Sequence, residues 1–541
     1  MSKHIYISQN TREPNTPNTI VKKIYDMILQ QELTGDVYDN TTDFFGHVAL
    51  SSPTYKEWAD KVTDNFENLV IESLYYMLFT DPVVESIMST YLLSKGVGDG
   101  YGITYEDAKD RRINSLTSNL FMNNTNIEYF NELINFENIT TIPSECFKGC
   151  TNLKEIDLTN ITTLNTQYGQ EFAGCTSLEK VTLGNITNLP QYCFNNCSLL
   201  ETVTNTENIV NIGHHAFYQC SYLENIDLQS CTSIGTYAFE KCTSLKDVNM
   251  LNIVTIGQEA FRGCTQLKIT YPLSNCTTID NSVFVGCTSL TSIDLPVCTT
   301  LGHSNFYQLE QLTTVNIPNV TNINYNSFYK CTALSNITCN PVYVGENAFN
   351  GCKSLTNINL SNCTTIIKSA FYGCNKLNLT NYQLNNVTTI GDNGFRNCAA
   401  LTQISLPNCT SIGYSAFRDC KLLTTVNLSQ INTDNDEVTS NCTSIGGYTF
   451  CGCTELTDIT GLDKFISNIT IGHGIFSNCQ KLNFPESITI NSTYVGSTSF
   501  YNCKKITKVV LSSNTTMLYT SAFESCNLLT QVTGLENITK V

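Results

Sequence analysis

The chain has 541 residues, with 30 Lys and Arg against 47 Asp and Glu and a formal net charge of −17. That length exceeds one compact core and implies several domains or an elongated repeat array. The acidic balance, with no Lys/Arg-rich run and no basic stripe interleaved with aromatics along the sequence, excludes an extended nucleic-acid backbone as partner.

The first eighteen residues, MSKHIYISQNTREPNTPN, are polar, hold two prolines and read as an extended arm. They lack the apolar core of an export signal. No window approaches 18 consecutive apolar residues, so no membrane insertion is expected. Residues 19–33 place Ile20, Ile24, Met27 and Ile28 on one helical face, and 54–79 do the same with Trp58, Val62, Phe66, Val70 and Leu74. Asp81 followed by Pro82 predicts an N-cap and first helical residue, with Gly96 as the stop. Thr104 and Asp107 form a capping-box pattern that opens a further helix to about Leu120. Residues 1–122 therefore read as a small helical domain that caps the rest of the chain or docks it to something else.

From about residue 123 the period changes. Seventeen Phe anchors run from Phe147 to Phe523, most of them 21–25 residues apart, with intervals of 26 and 33 as exceptions. Each unit follows I-G-x-x-A-F-x-x-C-x-x-L-x-x-I-x-L. The Leu290, Ile293 and Leu295 pattern predicts a short strand with alternate residues inward. The Phe-x-x-Cys segment predicts a helical turn or irregular stretch opposite it. Recurrence at this period is the mark of a solenoid of leucine-rich repeat length. Seventeen stacked turns would extend roughly 80 Å. The chain is thus expected to be α+β: a small helical N-terminal domain, 1–122, followed by a curved leucine-rich repeat solenoid of about 17 turns, 123–541. It ends at GLENITKV without a polar cap, and another chain covering that end, or fraying, is expected.

Pieces such as IPSECFKGCTNLKEIDL (142–158) and IGYSAFRDCKLLTTVNL (412–428) resemble the BspA-type leucine-rich repeats of bacterial and protozoan surface proteins and some bacteriophage proteins. The lead-in DPVVESIM, GDGYGITYEDA and YFNELINFENITTIP resembles the segment before such arrays in gut Bacteroides proteins and their phages. The resemblance covers roughly residues 81–541.

Sixteen of the seventeen anchors have Cys three residues on, and after Phe306 the position holds Leu309. Leucine can replace a packed thiol but neither a disulfide nor a metal ligand, so these cysteines read as core. A second set (Cys231, Cys276, Cys298, Cys363, Cys409, Cys442) alternates with Ile and Val and reads the same way. Twenty-six cysteines without an export signal point to free thiols in a reducing compartment. Tight pairs such as Cys146 with Cys150 lack the paired CxxC spacing of a zinc site. The six histidines are scattered, and no GxSxG, P-loop, HExxH or strand-borne GxGxxG occurs, so no enzyme activity and no cofactor is expected. GDGYGITYEDA offers Asp99 and Asp107 as weak calcium candidates in an eroded loop. Sequons at Asn160, Asn185, Asn319, Asn386 and Asn408 fall in phase with the repeat and say little about glycosylation.

On each strand the outward position between the inward Ile or Val and the following Leu forms a small polar stripe that includes Asp157, Asp227, Asn249, Asp294, Asn316, Asn359 and Asn427. With Asp434, Asp436 and Glu437 of the irregular insert 429–441, these are the candidate binding residues. The function expected is non-enzymatic recognition or scaffolding. The absent signal and the lead-in suggest a bacteriophage tail or head appendage. In that role residues 1–122 would dock on other virion proteins and the array would meet a host surface protein or glycan. The alternative is a cell-surface adhesin, and a homo-oligomer is expected in either case.

Overall fold

The computed structural model describes residues 77, 79–98, 102–379, 384–432 and 437–541, with the backbone alone at 430–432 and 437–440. The chain divides into two units, 1–228 and 229–541. The expected arm and the helix 19–33 lie outside the described residues. So does the helix 54–79, except for Met77 and Phe79, which are not helical.

In the first unit a helix spans Pro82–Ser94. Asp81 caps it by accepting the Val83 N–H at 2.8 Å, while its other oxygen accepts the Glu128 N–H at 2.6 Å. One carboxylate thus fixes both the helix start and its seat on the first turn of the array. Thr80 adds two bonds of 2.8 Å to Glu132 Oε1, one from its amide and one from its hydroxyl. Lys95 ends the helix, and Gly96 takes the left-handed conformation beyond it, at φ 71°. The Thr104–Asp107 capping box forms, but it opens a single turn, Tyr105–Ala108, and not a helix to Leu120. The chain from 109 to 122 is a run of turns that drops Ile113, Leu116 and Phe121 into the core. A cap satisfies the first amides of a helix, but propagation needs an apolar face, and Ser115, Thr117, Ser118 and Asn119 supply none. The helical N-terminal domain is therefore reduced, among the described residues, to one helix and one turn.

The rest of this unit is a stack of turns built on Phe147, Phe172, Phe194 and Phe217. Phe121 acts as an extra rung, its ring 4.9 Å from that of Phe147 and 5° from parallel. Strands Glu155–Asp157, Lys180–Thr182 and Thr202–Thr204 pair in parallel, Ile156 beside Val181 beside Val203. A second strand of two residues, which the spacing does not predict, precedes each Phe. Asn188–Leu189 pairs with Asn211–Ile212 in this way.

The second unit carries the anchors Phe239 to Phe523 in the same arrangement. Three-residue strands form parallel sheets, for example Ser292–Asp294, Thr314–Asn316 and Asn336–Thr338. The two-residue strands from Asn322–Ile323 to Ser444–Ile445 make a six-stranded parallel sheet. Successive Phe rings lie 5.1–6.0 Å apart. The insert becomes an antiparallel hairpin, Ser429–Asn432 with Glu437–Ser440.

Between the two strands the backbone wraps around the ring, and that path requires left-handed residues two before and two after Phe. Asn393 and Asn397 flank Phe395 at φ 55° and 61°, and Thr498 and Asn502 flank Phe500 at 55° and 61°. Gly and Asn are frequent at these places because they accept such angles cheaply. Thr498 does not. A left-handed β-branched residue costs about 1–2 kcal/mol, and glycine gives back about 0.5–1 kcal/mol through chain entropy. Thr498→Gly is therefore expected to stabilise the protein by up to about 1 kcal/mol, read as a higher urea midpoint.

Candidate binding surfaces

The repeat places a thiol in every turn but one. Within each unit the Cys at Phe+3 points its Sγ at the carbonyl of the Phe one turn earlier. The distance is 3.1 Å for Cys175 to Phe147, 2.9 Å for Cys331 to Phe306 and 3.1 Å for Cys420 to Phe395. That carbonyl already accepts the N–H of its own Phe+3 residue, so the thiol fills its second lone pair. Leu309 leaves the Phe284 carbonyl with the Cys287 N–H at 3.0 Å, which explains why leucine is tolerated there. The second cysteine set donates locally, for example Cys298 to the Thr300 carbonyl at 3.3 Å. All 26 cysteines are free and only Cys451 is less than buried. Burial pushes the thiols up, Cys231 to about 11 and Cys276 to about 12. Among the described residues no group of three His, Cys, Asp or Glu is placed to hold a metal ion.

The outward strand positions are engaged within the fold. Asp157 accepts the amide and hydroxyl of Thr159. Asn359 does the same for Ser361 at 3.1 and 2.8 Å, and Asn427 for Ser429 at 3.1 and 3.0 Å. Asn316 donates to Asp294 of the preceding turn at 2.7 Å. Asn249 and Asp227 hold the same place, the second exposed. These side chains close turns and link rungs. Asp107 has a similar duty, its Oδ2 taking the Thr104 amide and hydroxyl at 2.9 and 2.7 Å. Asp99, Asp434 and Asp436 lie outside the described residues, as does the Glu437 side chain.

The phased sequons also have a structural cause. Asn319, Asn386 and Asn408 donate their side-chain amides to carbonyls one turn back, at 2.8, 2.7 and 2.6 Å, and Asn160 makes the same bond to Ile134. Thr hydroxyls form a parallel ladder, for example Thr424 to the Thr402 carbonyl at 2.8 Å.

One edge of the second unit is different. From Phe306 to Phe417 the residue after the anchor is half-buried, and in successive turns this position holds Tyr307, Tyr329, Asn350, Tyr372, Arg396 and Arg418. Backbone bonds lock the row in register, as in Gly373 N–H to the Arg396 carbonyl at 2.8 Å and Asn397 N–H to the Arg418 carbonyl at 2.9 Å. The rings of Tyr307 and Tyr329 stack at 5.1 Å. Arg396 lies 5.6 Å over Tyr372, and Arg418 lies 5.5 Å over Tyr448 of the next turn. Tyr325 and Tyr414, three residues before their anchors, are 49% and 47% exposed. A basic and aromatic stripe therefore exists, although none is visible along the sequence. Its members stand one repeat apart, and aligning the turns on Phe is the signal that finds them.

Among the described residues of the first unit, Glu171 is the most deeply buried acid. Glu171 takes the small-residue place before Phe172, is fully buried, and neither carboxylate oxygen has a hydrogen-bond partner. Desolvation raises its pKa to about 8. A carboxyl raised in the folded state favours folding most below its ordinary pKa near 4.5, and that advantage is lost as pH rises toward 8. The urea midpoint of the wild type should fall across this window, and Glu171→Gln should flatten the fall.

For the thiols, iodoacetamide at pH 8 should label native protein at Cys451 and spare the core. Unfolding without reductant should expose all 26 cysteines to the reagent. Protected pairs in mass spectra of the unfolded chain would contradict the thiol ladder.

A family model of the BspA type leucine rich repeat region matches residues 114–246, 211–335, 334–442 and 428–541. Among solved structures, a leucine-rich repeat protein from Bacteroides ovatus is 24% identical over 59% of this chain and 82% of that one, with a TM-score of 0.48. A leucine rich cell surface protein from Faecalibacterium prausnitzii is 20% identical over 70% of this chain and 82% of that one, with a TM-score of 0.25. A comparison with curated proteins gives no match.

Proposed function

The chain belongs to the family of BspA-type leucine-rich repeat proteins, and from that premise we propose that it is a non-enzymatic recognition protein displayed at a surface. The array is the scaffold, and binding takes place at the edge beside the Phe anchors rather than on the strand face. The observation that carries this reading is the row from Tyr307 to Arg418. It puts aromatic rings and guanidinium groups in register at the surface, while strand-face polar groups such as Asn316 and Asn359 bond within the scaffold. Aromatic and Arg side chains are the residue types that dominate binding energy at interfaces. Family membership supports display on a cell surface. The lead-in at 81–143 supports the second reading, a virion appendage that recognises a host.

The two readings separate by location. The protein is expected in the cell-envelope fraction of cultures that make it. Recovery in purified virions alone would move the same role to a virus particle, and recovery in the cytosol alone would overturn both.

A further inference from the structure

Charge is distributed unevenly along this acidic chain. Residues 311–431 carry seven cations, Lys330, Lys353, Lys368, Lys376, Arg396, Arg418 and Lys421, against three acids, Glu346, Asp392 and Asp419. All seven fall between three residues before and five residues after a Phe anchor, which is the edge between the two strands of a turn. The strands of the same turns, Asn336–Thr338, Gln403–Ser405 and Thr425–Asn427, carry no charge. The three acids lie in the same span, Glu346 pairing with Lys368 at 3.4 Å, so the repeat gathers charge of both signs onto one edge and leaves it a cationic excess in a protein whose net charge is −17.

Arg396 and Arg418 are the centre of this edge. They hold the same position in consecutive turns, so their backbones stand one strand spacing apart, about 4.8 Å. Their surroundings satisfy them only in part. Arg396 has Asn393 Oδ1 at 3.3 Å and the Tyr372 ring, and its Nε is buried without a hydrogen-bond partner. Arg418 stands over Tyr448, and its Nε lies 3.5 Å from Asp419 Oδ2 without hydrogen-bonding it. Arg396 leans over the ring of the turn before it and Arg418 over the ring of the turn after it, so the two offer successive oxyanion contacts along the edge, with guanidinium donors left to make them.

We propose that Arg396 and Arg418 form an oxyanion subsite for an acidic polysaccharide lying along the Tyr307–Arg418 edge. This names the ligand class of the recognition surface and rests on that reading. Guanidinium forks match the planar geometry of carboxylates and bind sulfate-type oxyanions through paired donors. Tyr307, Tyr329 and Tyr372 continue the row with ring edges and hydroxyls suited to sugar rings. Spacing selects against a peptide. An extended chain advances about 3.3–3.4 Å per residue and loses register with rungs about 4.8 Å apart, whereas a sugar ring in an extended glycan spans close to one rung. Nucleic acid is disfavoured because its dense phosphate charge would meet the acidic remainder of the chain.

Affinity electrophoresis of the full chain tests the proposal, in gels containing polygalacturonate, dextran sulfate, neutral dextran or poly-glutamate. Retardation is expected with polygalacturonate or dextran sulfate, carboxylate and sulfate being separated by which gel retains more strongly. It should weaken as salt rises. Arg396→Gln/Arg418→Gln should lose at least tenfold in apparent affinity with an unchanged urea midpoint. Lys481→Gln, on a turn beyond the Tyr307–Arg418 row, should bind as the wild type does. No retardation in either acidic glycan, equal binding by the double variant, or stronger retention by poly-glutamate overturns the subsite. Envelope fractionation of the same double variant keeps the two ideas apart, because it reports surface display whatever the glycan result.

Discussion

The carbonyl of each Phe anchor is the joint on which the array depends. Within each unit it accepts the amide of its own turn and, in most turns, the thiol of the next, while its ring lies against the next ring. No turn of about 22 residues can bury its own face, so cohesion between neighbours is the whole source of order. The joint couples three terms at one residue: burial of a large ring, ring-to-ring contact and satisfaction of a buried carbonyl. Losing the thiol leaves the carbonyl one bond, which the array tolerates at Leu309. Losing the ring would remove packing from two neighbours at once, and each anchor position is indeed Phe.

The sequence makes the repeat legible because burial imposes period. Phe147 to Phe523, the inward Leu and Ile positions and the longer strand could all be read from spacing. The two-residue strand before each Phe could not, since a pair such as Asn211–Ile212 has no alternation to detect. The role of the thiol was half legible. Interchange with leucine at 309 correctly placed the cysteines in the core, but it could not show that sulfur donates to a carbonyl a whole turn away. The helix expected from Thr104 failed for a related reason: its cap is a local pattern of four residues, while its continuation depends on what Ile113 and Phe121 pack against.

The candidate surface was least legible, and the cause is topological. Sequence patterns along the chain report neighbours in a strand or helix. The solenoid makes neighbours of residues a full repeat apart, so Tyr372, Arg396 and Arg418 read as isolated side chains until the turns are stacked. The strand-face stripe gave the opposite impression. Asp157, Asn359 and Asn427 recur conspicuously in the sequence, and the structure uses each of them to close a turn. Regularity in a repeat is evidence of a structural duty, because every turn has the same duty to meet.

That contrast separates scaffold from recognition. A position fixed by the ladder cannot vary without cost to its neighbours, whereas the position after Phe changes from Tyr to Asn to Arg between turns while its backbone bond stays the same. The side chain there is free of the joint, and its chemistry can respond to a ligand. A row of such positions, held at one rung spacing by bonds that do not involve the side chains, needs little ordering upon binding. Preorganisation of this kind lowers the entropy cost of contact with an extended polymer. The uniform interior and the variable edge are therefore two consequences of one constraint: the joint at Phe fixes the backbone so completely that the residue beside it need not contribute to stability.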